Sequence, residues 1–204
     1  MDIVTITDRI SYLPGRENPL SSEVVIIKGD TYTWIFDVGD GEAALSFLEK
    51  MEGEKNVILS HFHGDHTKNL SKITYHQLYQ GANTKKYTGV GEVVERELTI
   101  EDGVKLTLFP IPCSHAKGCL GLVVDDTYAF LGDAVYPADK KGELLYNVSL
   151  LAQEIALLKE INTEYFCVSH KPGFVYKKKA IIAFLESVYR RRKPGEAYIR
   201  EAEK

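Results

Sequence analysis

The sequence predicts an α/β protein, and two observations carry that reading. Strand-like runs are short and numerous, and helical patterns fall between and around them. Such a mix suggests two sheets packed face to face with helices outside, because each sheet must bury its apolar faces against another layer. Composition by itself leaves other α/β layouts open.

Strand-like segments lie near 3–7, 23–28 and 32–37, and a helix is expected over 41–52 after Asp40-Gly41. There Ala44, Leu45, Phe47 and Leu48 share one face and Glu49 and Lys50 the other. The apolar run Val57-Ile58-Leu59 reads as a buried strand over 57–60, followed by a helix at 67–71. Further strands are expected at 73–79, 93–99, 104–110, 119–125 and 127–132. A helix over 148–161 follows from Leu150, Leu151, Ile155, Leu158 and Ile161 on one stripe. The strand 165–169 and a helix over 177–192 complete the series. With no linker, repeat or low-complexity stretch, residues 1–204 read as one domain.

Directly after the buried strand, His61-Phe62-His63-Gly64-Asp65-His66 sets four metal-competent side chains within six residues. If the chain stays extended through 61–63, strand alternation aims both imidazoles to one side and Phe62 into packing. Gly64 is expected to bend the backbone so that Asp65 and His66 approach the same space from a second direction. Imidazole and carboxylate together suit zinc first, and iron or manganese less decisively. His115 sits in a Pro- and Gly-bounded loop, Asp133 closes the run Tyr128–Asp133, and His170 ends Tyr165-Phe166-Cys167-Val168. All three therefore stand at strand ends or in adjoining loops, where side chains from separate strands converge. His76 falls outside this pattern and reads as an ordinary surface or core residue.

Taken in order, these residues resemble the metallo-β-lactamase-fold hydrolase superfamily. Its pattern is His-x-His-x-Asp-His, a lone His, a lone Asp after a Gly, and a lone His. The segments Ser60 to His66, Ser114-His115, Leu131-Gly132-Asp133 and Ser169-His170 supply every term. Phe36-Asp37-Val38-Gly39 matches the family's upstream Asp-x-Gly element. The resemblance implies an αββα sandwich of two mixed β-sheets with helices on the outer faces and metals at one edge. It implies that His61, His63 and His115 hold one Zn2+, that Asp65, His66 and His170 hold a second, and that Asp133 bridges them. Asp37 would buttress the ligands from behind. A hydroxide shared by the metals would attack a small ester, thioester, lactone or phosphoester, with Asp65 steering or accepting a proton. Tyr136 stands where quorum-quenching lactonases, which are similar here, point a phenol at the substrate carbonyl. The alternatives on the same scaffold are a mononuclear non-heme iron oxidoreductase of the persulfide dioxygenase kind and a non-catalytic ligand-binding protein.

Composition narrows the partners. A net charge of −4 argues against nucleic acid, whose affinity rests on many Lys and Arg contacts to phosphate. Hydrophobic content of 44% and charged content of 26% are ordinary for a globule, and no apolar run is long enough to span a bilayer. Without a signal-peptide pattern at the start, the cytoplasm is expected. Cys113, Cys119 and Cys167 lack disulfide or zinc-ribbon spacing and read as packed thiols. The expected partner is a small molecule, and Lys117 and Lys171, each within two residues of a candidate ligand, suit an anionic one. The runs Lys177-Lys178-Lys179 and Arg190 to Lys193 read as a solvated helix face.

Overall fold

The computed structural model describes residues 2–201. Seven strands lie side by side in one sheet: Val4–Thr5, Ile10–Leu13, Val24–Lys28, Thr33–Phe36, Lys55–Ile58, Gln77–Gln80 and Glu92–Val93. Six form a second: Leu98–Glu101, Lys105–Ile111, Cys119–Val124, Tyr128–Phe130, Tyr165–Cys167 and Val175–Lys177. Both are mixed. Thr33–Phe36 runs parallel to Lys55–Ile58 in the first, and Tyr128–Phe130 parallel to Tyr165–Cys167 in the second. The helices are α1 (Gly41–Glu49), α2 (Gly64–Thr67), α3 (Ala82–Thr88), α4 (Val148–Glu160) and α5 (Lys178–Arg190). No helix among the described residues is long and apolar enough to cross a membrane.

Alternation along the strands sorts the side chains into three apolar layers. Val25, Ile27, Trp34, Phe36 and Ile58 meet Leu106, Leu108, Leu120, Leu122 and Phe130 between the sheets. The alternate residues Val24, Ile26, Ile35 and Val57 pack under Ala44 and Leu48 of α1. On the far side Phe109, Ile111, Val123, Ala129 and Phe166 lie under Leu151, Ile155 and Leu158 of α4 and Ile181, Leu185 and Val188 of α5. This is the expected αββα sandwich. Burial on both faces explains why Val24-Val25-Ile26-Ile27 is continuously apolar rather than alternating. Each such side chain contributes on the order of 1.5–3 kcal/mol relative to exposure.

Several expected elements are corrected. The single strand over 93–99 is two, Glu92–Val93 and Leu98–Glu101, in different sheets. Polar Glu95-Arg96-Glu97 carries the crossing between them while Val94 stays buried between the layers. The helix over 67–71 is instead α2 followed by a 3-10 turn at Leu70–Lys72. The long helix over 177–192 is α5 at Lys178–Arg190, and its lysines are not all simply solvated. Lys177 pairs with Glu164, and Lys178 Nζ donates to the carbonyls of Lys159 and Ile161 at the C-terminal end of α4, where a cation is favoured.

At the sheet end where Thr33–Phe36 begins, Asp102 ties the layers together. Its carboxylate accepts the Thr31 N–H at 2.7 Å, the Tyr32 N–H at 3.0 Å and Trp34 Nε1–H at 2.9 Å. Burial alone would raise its pKa, but these donors outweigh that and hold it below the usual value. Asp102→Ala should cost about 2–4 kcal/mol at neutral pH, because the lost acceptors leave partly buried donors unpaired. A depressed folded pKa means this contribution is full above the unfolded value of about 3.9 and fades as pH falls through the folded one. Urea unfolding of both proteins should show the gap at pH 7 and its narrowing below about pH 4. Equal stability at pH 7 would remove Asp102 as the tie.

Candidate metal centre

The parallel strands Thr33–Phe36 and Lys55–Ile58 of the first sheet and Tyr128–Phe130 and Tyr165–Cys167 of the second point their C-terminal ends at the same edge. Asp37 follows Phe36, Ser60 and His61 follow the strand ending at Ile58, Asp133 follows Phe130, and His170 follows Cys167. Gly132 lets the two sheets' loops touch: it has φ of +54°, and a Cβ there would stand 2.5 Å from Ser60 Cβ. His170 and Asp37 themselves adopt left-handed φ of 59° and 60°, a conformation that Asp and His tolerate better than most residues. Strain of this kind concentrates at functional sites.

Seven side chains expected at the site converge in two groups. His61, His63 and His115 form one, and Asp65, His66, Asp133 and His170 the other, with donor atoms inside each group within 4.8 Å of one another. His61 Nε2 and His115 Nε2 lie 2.9 and 3.0 Å from His63 Nδ1. In the second group His170 Nε2 lies 2.9 Å from Asp65 Oδ2 and 3.4 Å from His66 Nε2. Asp133 faces both. Its Oδ1 stands 3.4 Å from His66 Nε2, and its Oδ2 3.4 Å from His115 Nε2 and 3.7 Å from His170 Nε2. The imidazoles of His61 and His63 lie together as expected, although the chain bends at Phe62 rather than staying extended, and Phe62 stacks on Tyr87 at 4.4 Å. Gly64 is a correction: its φ is not positive and a Cβ would meet nothing within 4 Å, so the turn is made where α2 starts at Gly64 after the extended His63, not by glycine's freedom. His76 lies apart, stacked on Tyr32.

The outer ring nitrogens are tied down, which fixes how the inner ones face. Asp37, fully buried, accepts the Ser60 N–H at 2.8 Å, Ser60 Oγ–H at 2.7 Å and His66 Nδ1–H at 2.7 Å. Ser60 Oγ in turn accepts His61 Nδ1–H at 3.0 Å, and the Pro137 carbonyl accepts His115 Nδ1–H at 3.1 Å. The Nε2 atoms of His61 and His115 therefore carry lone pairs into the cluster, and the Nε2 of His66 points into it as well. One position was not anticipated, and another has a different contact from the one expected. Glu23, buried at the entrance to strand Val24–Lys28, accepts the His170 N–H at 3.1 Å, a carboxylate opening an apolar strand being the only sequence signal. Tyr136 was expected to face a substrate carbonyl, and here its hydroxyl donates to the Ser169 carbonyl at 2.8 Å.

The cluster fits divalent cations. Nitrogen ligands about 2.0–2.1 Å from a tetrahedral ion stand roughly 3.3 Å from one another, close to the separations here. Asp133 Oδ1 is buried without a hydrogen-bond partner, a costly state that a cation would relieve. Burial and the neighbouring imidazoles push the His61 pKa well below its usual value, and burial also lowers those of His63 and His115, so this triad is neutral and ready to ligate. For His66 burial is outweighed by the charges of Asp37 and Asp133, and for His170 by Asp65 and Asp133, so both are raised. Cation uptake there must displace protons, and it strengthens as pH rises.

The metal-free protein separates the two aspartates. Asp37→Asn should cost about 2–4 kcal/mol, since an amide presents a donor to a carboxylate's three donors. Asp133→Asn should cost less than Asp37→Asn, because one of its oxygens has no hydrogen-bond partner to lose. Thermal melts in chelator measure both. The reverse order would refute the division between a carboxylate that holds the scaffold and one that waits for a cation.

No protein-family model matches the chain, and no curated protein matches it in sequence. Solved structures do. A metallo-β-lactamase from Pontibacter korlensis superposes with a TM-score of 0.71 at 12% identity, covering 94% of this chain and 99% of that one. An archaeal metallo-β-lactamase superfamily protein from Sulfolobus tokodaii gives 0.60 at 18%, covering 89% and 86%. A diiron chemotaxis sensor gives 0.65 at 13%, covering 93% and 94%. With its two mixed sheets, outer helices and ligand cluster at the shared strand edge, the chain has the metallo-β-lactamase fold.

Proposed function

We propose that this protein is a dinuclear metal-dependent hydrolase of a small ester, thioester, lactone or phosphoester, with zinc as the preferred ion. The observation that carries this reading is Asp133, whose carboxylate lies between the two groups of candidate ligands, with Oδ1 near His66 and Oδ2 near both His115 and His170. In it His61, His63 and His115 hold one cation, Asp65, His66 and His170 the other, and Asp133 joins them. Paired divalent cations, when bound, supply an activated water at neutral pH and polarise the scissile group.

The chain's own residues do the rest. Asp37 and Ser60 hold His66 and His61 in the orientation the centre requires. Burial would raise the Asp65 pKa, but the His170 hydrogen bond and the charges of His66 and His170 outweigh it. Asp65 is therefore ionised at neutral pH and suited to orienting a substrate hydrogen rather than storing a proton. Tyr136 is a positioning residue in this account: by holding the Ser169 carbonyl it pins the strained turn that presents His170.

A non-heme iron protein is the second reading, favoured by the diiron chemotaxis sensor and a Thermotoga maritima flavo di-iron protein among the fold neighbours. A panel of chromogenic esters, thioesters, lactones and phosphodiesters, run with zinc, with iron and with chelator, tests the choice. Zinc-dependent turnover abolished by chelator is expected. No turnover of any class with zinc, together with iron-dependent oxygen consumption, would overturn the hydrolase reading.

Tyr136→Phe should weaken cation retention at the His170 side by roughly tenfold or more, the size of effect seen when an outer hydrogen bond is lost. Zinc titration against a competing chelator measures it. Unchanged affinity with a lowered kcat would instead make the phenol an oxyanion donor, at the cost of its bond to Ser169.

A further inference from the structure

Two cavities open beside the metal centre, and they differ in charge. One of about 460 Å³ on the His170 side is lined by Glu17 and Glu23 as well as Arg16 and Lys171. Lys171 there is engaged, with its ammonium 5.5 and 5.2 Å from the ring centres of Tyr176 and Phe184. The other, of about 620 Å³, is walled by His115 and carries Lys86, Lys117 and Lys140 with no Asp or Glu. In a chain of net charge −4 this is a locally positive space.

The wall is built by parts of the chain that close approach brings together. Gly81, preceding α3, lies so near Gly118 that a Cβ there would stand 2.0 Å from the Gly118 carbonyl oxygen. That contact sets α3, with Lys86 and Tyr87, against the loop bearing His115 and Lys117. Tyr87 is 70% exposed, yet its ring lies flat on Phe62, with an interplanar angle of 8°. The Phe62 ring in turn lies edge-on to the His63 ring, with centres 4.9 Å apart, so this aromatic shelf leads to the candidate ligands. Lys86 and Lys117 are exposed and form no ion pair among the described residues, while Lys140 lies 3.9 Å over the Tyr198 ring.

We propose that this cavity is the subsite for the acidic end of the substrate. It takes an organic anion, a carboxylate or phosphate on a flat unsaturated or aromatic body, with Lys86 and Lys117 holding the anion and the Tyr87–Phe62 stack the body. The proposal rests on the metal-centre reading only for placing the reactive bond on the His115 side. Ammonium groups supply the charge-assisted contacts and the exposed ring face the stacking surface. A neutral substrate of the same shape would gain only the second.

Calorimetric titration with phenylphosphonate, benzoate and neutral benzamide tests this on the metal-free and zinc-loaded protein. Both anions should bind the metal-free protein at least tenfold more tightly than benzamide. The double variant Lys86→Gln, Lys117→Gln should weaken both anions at least tenfold and leave benzamide unchanged, and Tyr87→Ala should weaken all three. Tighter phenylphosphonate assigns a phosphate-bearing substrate and tighter benzoate a carboxylate-bearing one, and each supports the subsite. Equal affinity for anions and benzamide, or anion binding that survives the lysine changes, would overturn it. Because no turnover is measured, the result stands apart from the outcome of the hydrolysis panel.

Discussion

The Asp37 carboxylate is buried at the end of a parallel strand, in a left-handed backbone conformation, with three donors converging on it. Ser60 and His66 touch it directly and His61 through Ser60 Oγ, so the first histidine motif is held in shape before any cation arrives. Burying a charge without such partners would cost several kcal/mol, and satisfying it makes the local backbone unusually specified. The rest of the centre is referred to this anchor. Gly132 packs against Ser60, Asp133 follows it, and the Ser169 N–H donates to the Gly132 carbonyl at 3.1 Å, bringing His170 into register.

Parallel strands in both sheets make this convergence possible. Strands running the same way end on the same edge, and loops there are free of the demands of sheet pairing. The opposite edge has a different task. There Asp102 accepts donors from the Thr31–Trp34 turn and ties one sheet to the other. One carboxylate thus serves stability at the closed end, while at the open end Asp133 keeps a buried oxygen without a hydrogen-bond partner.

What the sequence made legible is what local spacing and side-chain chemistry determine. The chemistry is visible in His61 to His66, whose residue types admit little besides metal ligation, although the chain there lies past the strand end and bends at Phe62. The buried strands and α1, α4 and α5 were legible from apolar period. Helix α3 was not: in Ala82–Thr88 only Thr84 is buried, so no apolar stripe marks it, although Gly89 in the left-handed region closes it as a C-cap glycine would. The small sheet of Ala138–Lys140, Glu143–Asn147 and Tyr198–Arg200 was likewise hidden. Its pairing depends on a partner some fifty residues away, which no local window contains. The Tyr136 hydrogen bond and the Glu23 contact to His170 are of the same kind, since each joins residues distant in the chain.

The central claim is that Asp133 lies between two cations. Anomalous diffraction from crystals grown with zinc, collected on either side of the zinc absorption edge, tests it most directly. The account predicts two peaks about 3.5–4 Å apart, one beside His61, His63 and His115 and the other beside Asp65, His66 and His170, with an Asp133 oxygen reaching each. A single peak under saturating zinc, or two peaks with Asp133 turned away from both, would contradict it.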